Sequence, residues 1–244
     1  MTYSSRLTQK GQGAAFGLFT NDTDSSNFSL CGQHFDLADG REVVLVSVGG
    51  SGIVSGVLCQ SSVQVANHQN LAVVANVAVG ATSVTVTLGG TAITANQYAG
   101  GYLIVNAGAG IGQTLKIESH PAQANAAGNV ILTLSDPVQV ALTSAASKVC
   151  LLANPYTGVI INPTSATGIP VGVTLYPLTA GSYGYIVTKG IVSCLNAGGT
   201  AIGLGLAISG TAGALATVAA TTGQVAIALQ AGVTTESRAV RLCL

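Results

Sequence analysis

Short segments with the pattern of a β-strand recur along the whole chain, and they limit what it can fold into. Thr82–Leu88 is the clearest: Val84, Val86 and Leu88 fall on one face, and Ser83, Thr85 and Thr87 on the other. Val43–Val48 is a short apolar run. Tyr102–Val105, Thr114–Glu118, Val130–Leu134, Val149–Leu152, Val159–Ile161, Val171–Tyr176, Tyr183–Thr188, Ile191–Leu195, Gln224–Leu229 and Ala239–Leu244 follow. Most run about four to seven residues, are rich in Val, Ile, Thr and Tyr, and are bounded by Gly, Asn, Ser or Pro. Such spacing predicts an all-β fold: a compact β-barrel or sandwich built of short antiparallel strands. The one mildly helical stretch, Thr91–Ala99 with Thr94 as its cap, predicts one or two turns at most.

Three regions follow from composition. Residues 1–40 are polar and acidic, carry all four Phe residues (Phe16, Phe19, Phe28, Phe35), and read as an extended N-terminal arm. Residues 41–75 and 153–244 are Gly-, Val- and Thr-rich strand segments of one β-barrel-like domain. Residues 76–152 have their own strand–turn pattern and read as a second β-domain inserted into the first. Near the C-terminus, Val171–Tyr176, Thr179-Ala-Gly and Gly184–Val187 resemble Val225–Gln230, Ala231-Gly-Val and Arg238–Leu242. Both read as strand, Ala-Gly turn, strand.

Charge narrows the possible functions. Only 7% of residues are charged, against roughly 25% in an ordinary soluble domain. The net charge is zero, so nothing draws the chain to nucleic acid or to an anionic membrane. Residues 43–115, 149–188 and 190–235 contain no Asp, Glu, Lys or Arg, while Asp22, Asp24, Asp36, Asp39 and Glu42 crowd one early stretch. A free monomer so poor in charge is prone to self-association, which a subunit of an assembly escapes. The uncharged run Ala201–Ala220 is long enough to span a bilayer, but it holds four glycines (Gly203, Gly205, Gly210 and Gly213) and no close Lys or Arg. Its Ile202-Gly-Leu204-Gly-Leu206 core alternates as a strand does. The opening MTYSSRLTQKGQG has no apolar signal-peptide core.

The templates for chemistry find no match. Asp22, Asp24, Asp36 and Asp39 lie in a Ser/Asn-rich stretch, and Asp22-Thr-Asp24 lacks the spaced ligands and closing Glu of a calcium loop. His34, His68 and His120 are far apart and without His or Cys partners at ligand spacing; His34 and His120 read as turn or surface residues. The five cysteines (Cys31, Cys59, Cys150, Cys194, Cys243) form no CxxC pair and read as small buried hydrophobes. Ser51-Gly and Ser55-Gly lack a nucleophile-elbow frame. Asn106–Gly112 (NAGAGIG) leads into a strand rather than a helix, so it reads as a hairpin turn and not a phosphate loop. Asn21-Asp-Thr and Asn27-Phe-Ser match the glycosylation sequon, which carries weight only in a secreted chain. No catalytic, cofactor-binding or metal-binding residues are therefore expected.

Several segments, taken in order, resemble a widespread group of tailed-phage virion structural proteins. These are Asp39-Gly-Arg41, Gly56–Gln60, Ala75–Thr87, Ala95–Leu103, Gly112–Lys116, Asn154-Pro-Tyr156, Thr167–Gly172 and Ala180–Tyr185. The resemblance implies a non-enzymatic particle component without catalytic residues or cofactors. The last part also resembles small capsid-decoration (cement) domains built as compact β-barrels. The expected role is a decoration protein on the capsid exterior. Its partners would be the major capsid protein and itself, as a homotrimer, with Phe16, Phe19, Phe28 and Phe35 of the arm touching the shell. The alternative is a tail or head fibre or spike module binding a host receptor or glycan, with Tyr98, Tyr102, Tyr156, Tyr176, Tyr183 and Tyr185 as candidate contacts.

Overall fold

The computed structural model describes residues 17–165, 167–218 and 223–244. Its strands are β1 (His34–Asp36), β2 (Glu42–Ser47), β3 (Leu58–Gln60), β4 (Leu71–Val73), β5 (Ser83–Thr87), β6 (Tyr102–Ala107), β7 (Thr114–Ser119) and β8 (Asn129–Leu134). They continue as β9 (Lys148–Leu152), β10 (Ile160–Ile161), β11 (Pro170–Thr174), β12 (Tyr183–Leu195), β13 (Gly205–Ile208), β14 (Leu215–Thr217), β15 (Ala226–Ala228) and β16 (Ser237–Cys243). The protein is all-β, and helical structure among the described residues is confined to two 3-10 segments, Ser25–Leu30 and Ala66–His68. Thr91–Ala99 is a series of turns, because Asn96 takes a φ of 57° and leaves the right-handed helical region. No helix among the described residues is long and apolar enough to cross a membrane. The run that begins at Ala201 supplies β13 and β14, paired antiparallel with Leu206 opposite Thr217.

The chain divides into two compact units. Gln64–Asn154 is one of them. Its six strands close into a barrel in the order β4-β5-β8-β7-β6-β9, with β9 returning to β4. Alternation decides which side chains fill it. Val84 and Val86, Leu103 and Val105, Leu115 and Ile117, Val130, Leu132 and Leu134, and Val149 and Leu151 all point inward and are buried. Burial of such side chains is worth about 1.5–3 kcal/mol each. The unit starts earlier than position 76, where composition placed its boundary. β4 is a barrel strand between β5 and β9, and without it both neighbours would present open edges.

Residues up to Val63 and from Pro155 onward make the other unit. Its sheet runs β10-β3-β11-β12-β16-β15-β13-β14, with β2 paired to β12 and β1 to β2. The sheet curls back at both ends. Val48 bridges Val159 in parallel, and Asn196 bridges Leu215 in the same way. β2 is the apolar run seen in the sequence, and it is buried on both faces. Val43 and Leu45 pack with Phe35, Val173, Tyr185 and Val187, while Val44 and Val46 pack with Ile53, Val159, Val171 and Ile186. Tyr183–Thr188 and Ile191–Leu195 join into the single strand β12. Gly190, with a φ of 101°, bends it near an irregularity in its pairing with β2 between Val187 and Lys189.

Residues 17–40 are not an extended arm. Leu18, Cys31, Phe35 and Leu37 are buried in the core beside β2 and β12, which removes their apolar surface from water. β1 pairs with β2, setting Phe35 opposite Val43, and Asp22 and Tyr183 exchange backbone hydrogen bonds of 3.0 and 2.7 Å.

One corner recurs throughout. At Ile53, Val77, Ile93, Leu142, Leu178, Thr200 and Gly232 the backbone makes an isolated antiparallel bridge. Three residues later the chain takes a positive φ, at Gly56, Gly80, Asn96, Ala145, Gly181, Gly203 and Thr235 respectively. The corners also pair with one another: Ile53 with Leu178, Val77 with Leu142, and Thr200 with Gly232. The strand–turn–strand similarity of Val171–Val187 and Val225–Leu242 belongs to this pattern, except that Gly232 is the bridging residue and Thr235 makes the turn. A β-branched residue at a φ of 69° is strained. Thr235→Asn should therefore stabilise the protein by about 1 kcal/mol and raise the calorimetric midpoint by roughly 2–4 °C.

Candidate functional site

The Phe residues expected to form a contact surface are dispersed. Phe35 is 1% exposed and packs edge-on against Tyr185, with ring centroids 5.4 Å apart. Phe28 is partly buried against the same core. Phe19 is 56% exposed and stands edge-on to Tyr176 at 6.1 Å. Phe16 lies outside the described residues.

The early acids shape turns. Asp22 accepts hydrogen bonds from the Asp24 amide and the Asn27 side chain, and Asp24 caps the 3-10 segment by accepting from the Ser26 amide at 2.9 Å. The bond from the Asp24 amide is the main reason the Asp22 carboxyl sits below the ordinary carboxylate range. Asp39 is likewise held low by Arg41, whose Nε donates to it at 2.7 Å. Among the described residues no group of three or more His, Cys, Asp or Glu side chains is placed to hold a metal. Burial pushes the Cys31 and Cys194 thiols up to about 12 and Cys59 higher still, so these three sulfurs are protonated packing groups. Cys150 is half-buried and Cys243 exposed.

His34 lies at the surface as expected, whereas His120 does not. His34 is exposed, with Nδ1 2.5 Å from Glu42 Oε1. His68 and His120 are buried, on either side of Tyr98. The Tyr98 backbone amide donates to His120 Nε2 at 3.0 Å, and the Tyr98 hydroxyl lies 2.7 Å from His68 Nδ1. His120 leaves the surface because Asn96 fixes its backbone from both sides, through a side-chain bond and an amide bond of 3.0 Å each. Of the tyrosines considered for ligand contact, Tyr98, Tyr183 and Tyr185 are buried, whereas Tyr102 is exposed on the outer face of β6.

The arrangement best suited to binding is a set of apolar turn residues on the barrel unit. Ile111 is 67% exposed, Val79 65% and Val140 53%. Each sits on a turn where small or polar residues are usual. The turns are tied together. Gln113 donates to the Val140 carbonyl at 2.9 Å and accepts from the Gln139 and Val140 amides at 2.8 and 2.9 Å. The Gly80 amide bonds Val138 O at 2.7 Å, and the Val138 amide bonds Ala81 O at 2.9 Å. The hairpin joining β6 to β7 is the NAGAGIG segment, and it is this turn that carries Ile111. The surface offers shape and apolar contact from a fixed backbone, and the one charged residue on the connections that carry it is Asp136, four positions before Val140. Sequence reasoning passed it over; the signal was β-branched residues at turn positions.

No family model, curated protein or solved structure matches the chain.

Proposed function

We propose that this chain is a structural virion protein of a tailed bacteriophage, a decoration protein that binds the outer surface of the major capsid shell and stabilises it, and that it assembles as a homotrimer. The observation that carries the reading is the rigid apolar surface of Val79, Ile111 and Val140 on a charge-poor barrel. Large exposed apolar side chains held together on a fixed backbone suit a protein interface, where they become buried. A subunit that lives in an assembly also tolerates long charge-free stretches. The resemblance to virion proteins supplies the partner and the trimer. The contact residues are reassigned from the Phe-bearing N-terminal region to the barrel turns.

The test is binding of the purified chain to phage heads assembled without it. The native chain should saturate the outer surface. Ile111→Asp combined with Val140→Asp should weaken binding at least about tenfold, the scale of an interface hot spot, and leave the melting midpoint unchanged. Undiminished binding by that variant, or electron-microscopic density for the chain in the tail alone, would sink the reading. Glycan-array binding without head binding would favour the fibre alternative.

A further inference from the structure

We propose that His120 is an acid-sensitive latch that holds the Thr91–Gly101 segment against β7. The segment meets the end of β7 and the residues just after it through a series of hydrogen bonds. Ile93 and Gln123 exchange backbone bonds of 3.0 and 2.9 Å, the Asn96 amide donates to His120 O, the Gly100 amide donates to Ile117 O at 2.8 Å, and the Tyr98 amide donates to His120 Nε2. The His120 amide also donates to Asn96 Oδ1 at 3.0 Å and the Ile117 amide to Gly101 O at 2.9 Å, so every one of these contacts lies at or within three residues of His120.

The bonds at the ring select one protonation state. A backbone N–H can only donate, so Nε2 must keep its lone pair. His120 Nδ1 lies 3.0 Å from the Pro121 carbonyl, which can only accept, so Nδ1 carries the proton. Only the neutral ring satisfies both neighbours. A second proton removes the Tyr98 bond and leaves two donors facing each other in a buried site.

Among the described residues no carboxylate bonds to the ring to offset that proton. Tyr98 faces the ring from the Thr91–Gly101 segment, and behind it stands His68 from the 3-10 segment Ala66–His68, whose Nε2 is 3.1 Å from Thr91 O. On β7 itself, Lys116 and Glu118 alternate to the exposed face. Burial lowers the pKa of His120 below its ordinary 6.5; the Pro121 carbonyl opposes this, and charge on His68 adds to it. A histidine whose pKa is lowered in the folded state contributes stability above 6.5 that is lost as pH falls below that value. Uptake of one proton on opening raises the open population about tenfold per pH unit in that window.

Amide exchange on the full chain tests this, read as protection factors at roughly pH 7.5 and pH 5. The amides of Ile93, Tyr98 and Gly100 should lose protection by about tenfold or more in acid, while those of Val86 and Val130 in β5 and β8 keep theirs. His120→Gln retains an acceptor for the Tyr98 amide but does not titrate, so its protection should be independent of pH. Should that variant not fold, nitrogen NMR of the native ring decides: His120 should remain the neutral Nδ1–H tautomer below pH 6.5. Equal protection at both pH values, uniform loss across the barrel, acid sensitivity retained by His120→Gln, or ordinary titration of the ring would overturn the proposal.

Discussion

Replacing Phe35 with alanine should lower the unfolding free energy by about 3–5 kcal/mol, the range for removing a fully buried aromatic side chain. The ring is 1% exposed and lies among Leu45, Tyr185 and Val187, at right angles to the Tyr185 ring. Its loss removes buried area, opens a cavity and ends an aromatic pair worth about 0.5–1.5 kcal/mol beyond its area. Phe19→Ala is the matched control. That ring is 56% exposed, and the change should stay within about 0.5 kcal/mol. Chemical denaturation of the two variants separates the roles. If Phe35→Ala melts like the native chain, residues 17–40 are not part of the core.

Gly108→Ala should destabilise the barrel unit by about 3 kcal/mol. Gly108 has a φ of 79°, which costs a residue with a Cβ about 1–2 kcal/mol by itself. The added methyl would also sit 2.7 Å from the Ala146 carbonyl carbon and 2.8 Å from Ser147 Cα, with the Ala146 oxygen nearer still. These are backbone atoms of a segment held in place. Ser147 is fully buried, and its hydroxyl donates to Ala109 O at 2.8 Å and accepts from the Thr143 amide at 3.0 Å. The strain cannot be relieved by turning a side chain. The same turn presents Ile111, so the variant should also weaken any partner that binds there. Differential scanning calorimetry measures the first effect, and an unchanged midpoint would contradict the packing at Gly108. Gly112→Ala separates the two contributions: its φ is 89°, but its Cβ would meet nothing within 4 Å, so only the conformational cost should appear.

The strands were legible wherever their pattern was local. β5 alternates in sequence and in burial, and β2, apolar at successive positions, is buried on both faces. β1, β3 and β4 were not legible. Each has three residues, and β3 draws its partners from β10 and β11, about a hundred positions away. A strand so short is defined by its neighbours rather than its own propensity. Gly190 looked like a break between two strands, but the pairing with β16 carries β12 past it. The seven-fold corner was visible at one pair of sites only, because its signature is conformational: Gly, Asn, Ala and Thr all occupy the positive-φ position. Acidity and aromatic clustering made residues 17–40 look like an arm, and only the partner faces of β2 and β12 show why Phe35 is inside. The apolar turns were hidden for the opposite reason. Single valines and isoleucines in a chain that is 48% hydrophobic draw no notice until their exposure is known.

β12 gives the larger unit no internal seam. Its first half is paired with β2 and β11, its second half with β16, and Lys189 stands opposite both Glu42 and Cys243. A cut or insertion near Gly190 would therefore separate the part of the sheet held by β2 and β11 from the part held by β16, so neither fragment would keep a complete hydrogen-bonded surface. The chain passes between this unit and the barrel at Val63–Gln64 and Asn154–Pro155. The barrel is one continuous segment between those two crossings, so replacing it as a cassette leaves every pairing of β12 uncut.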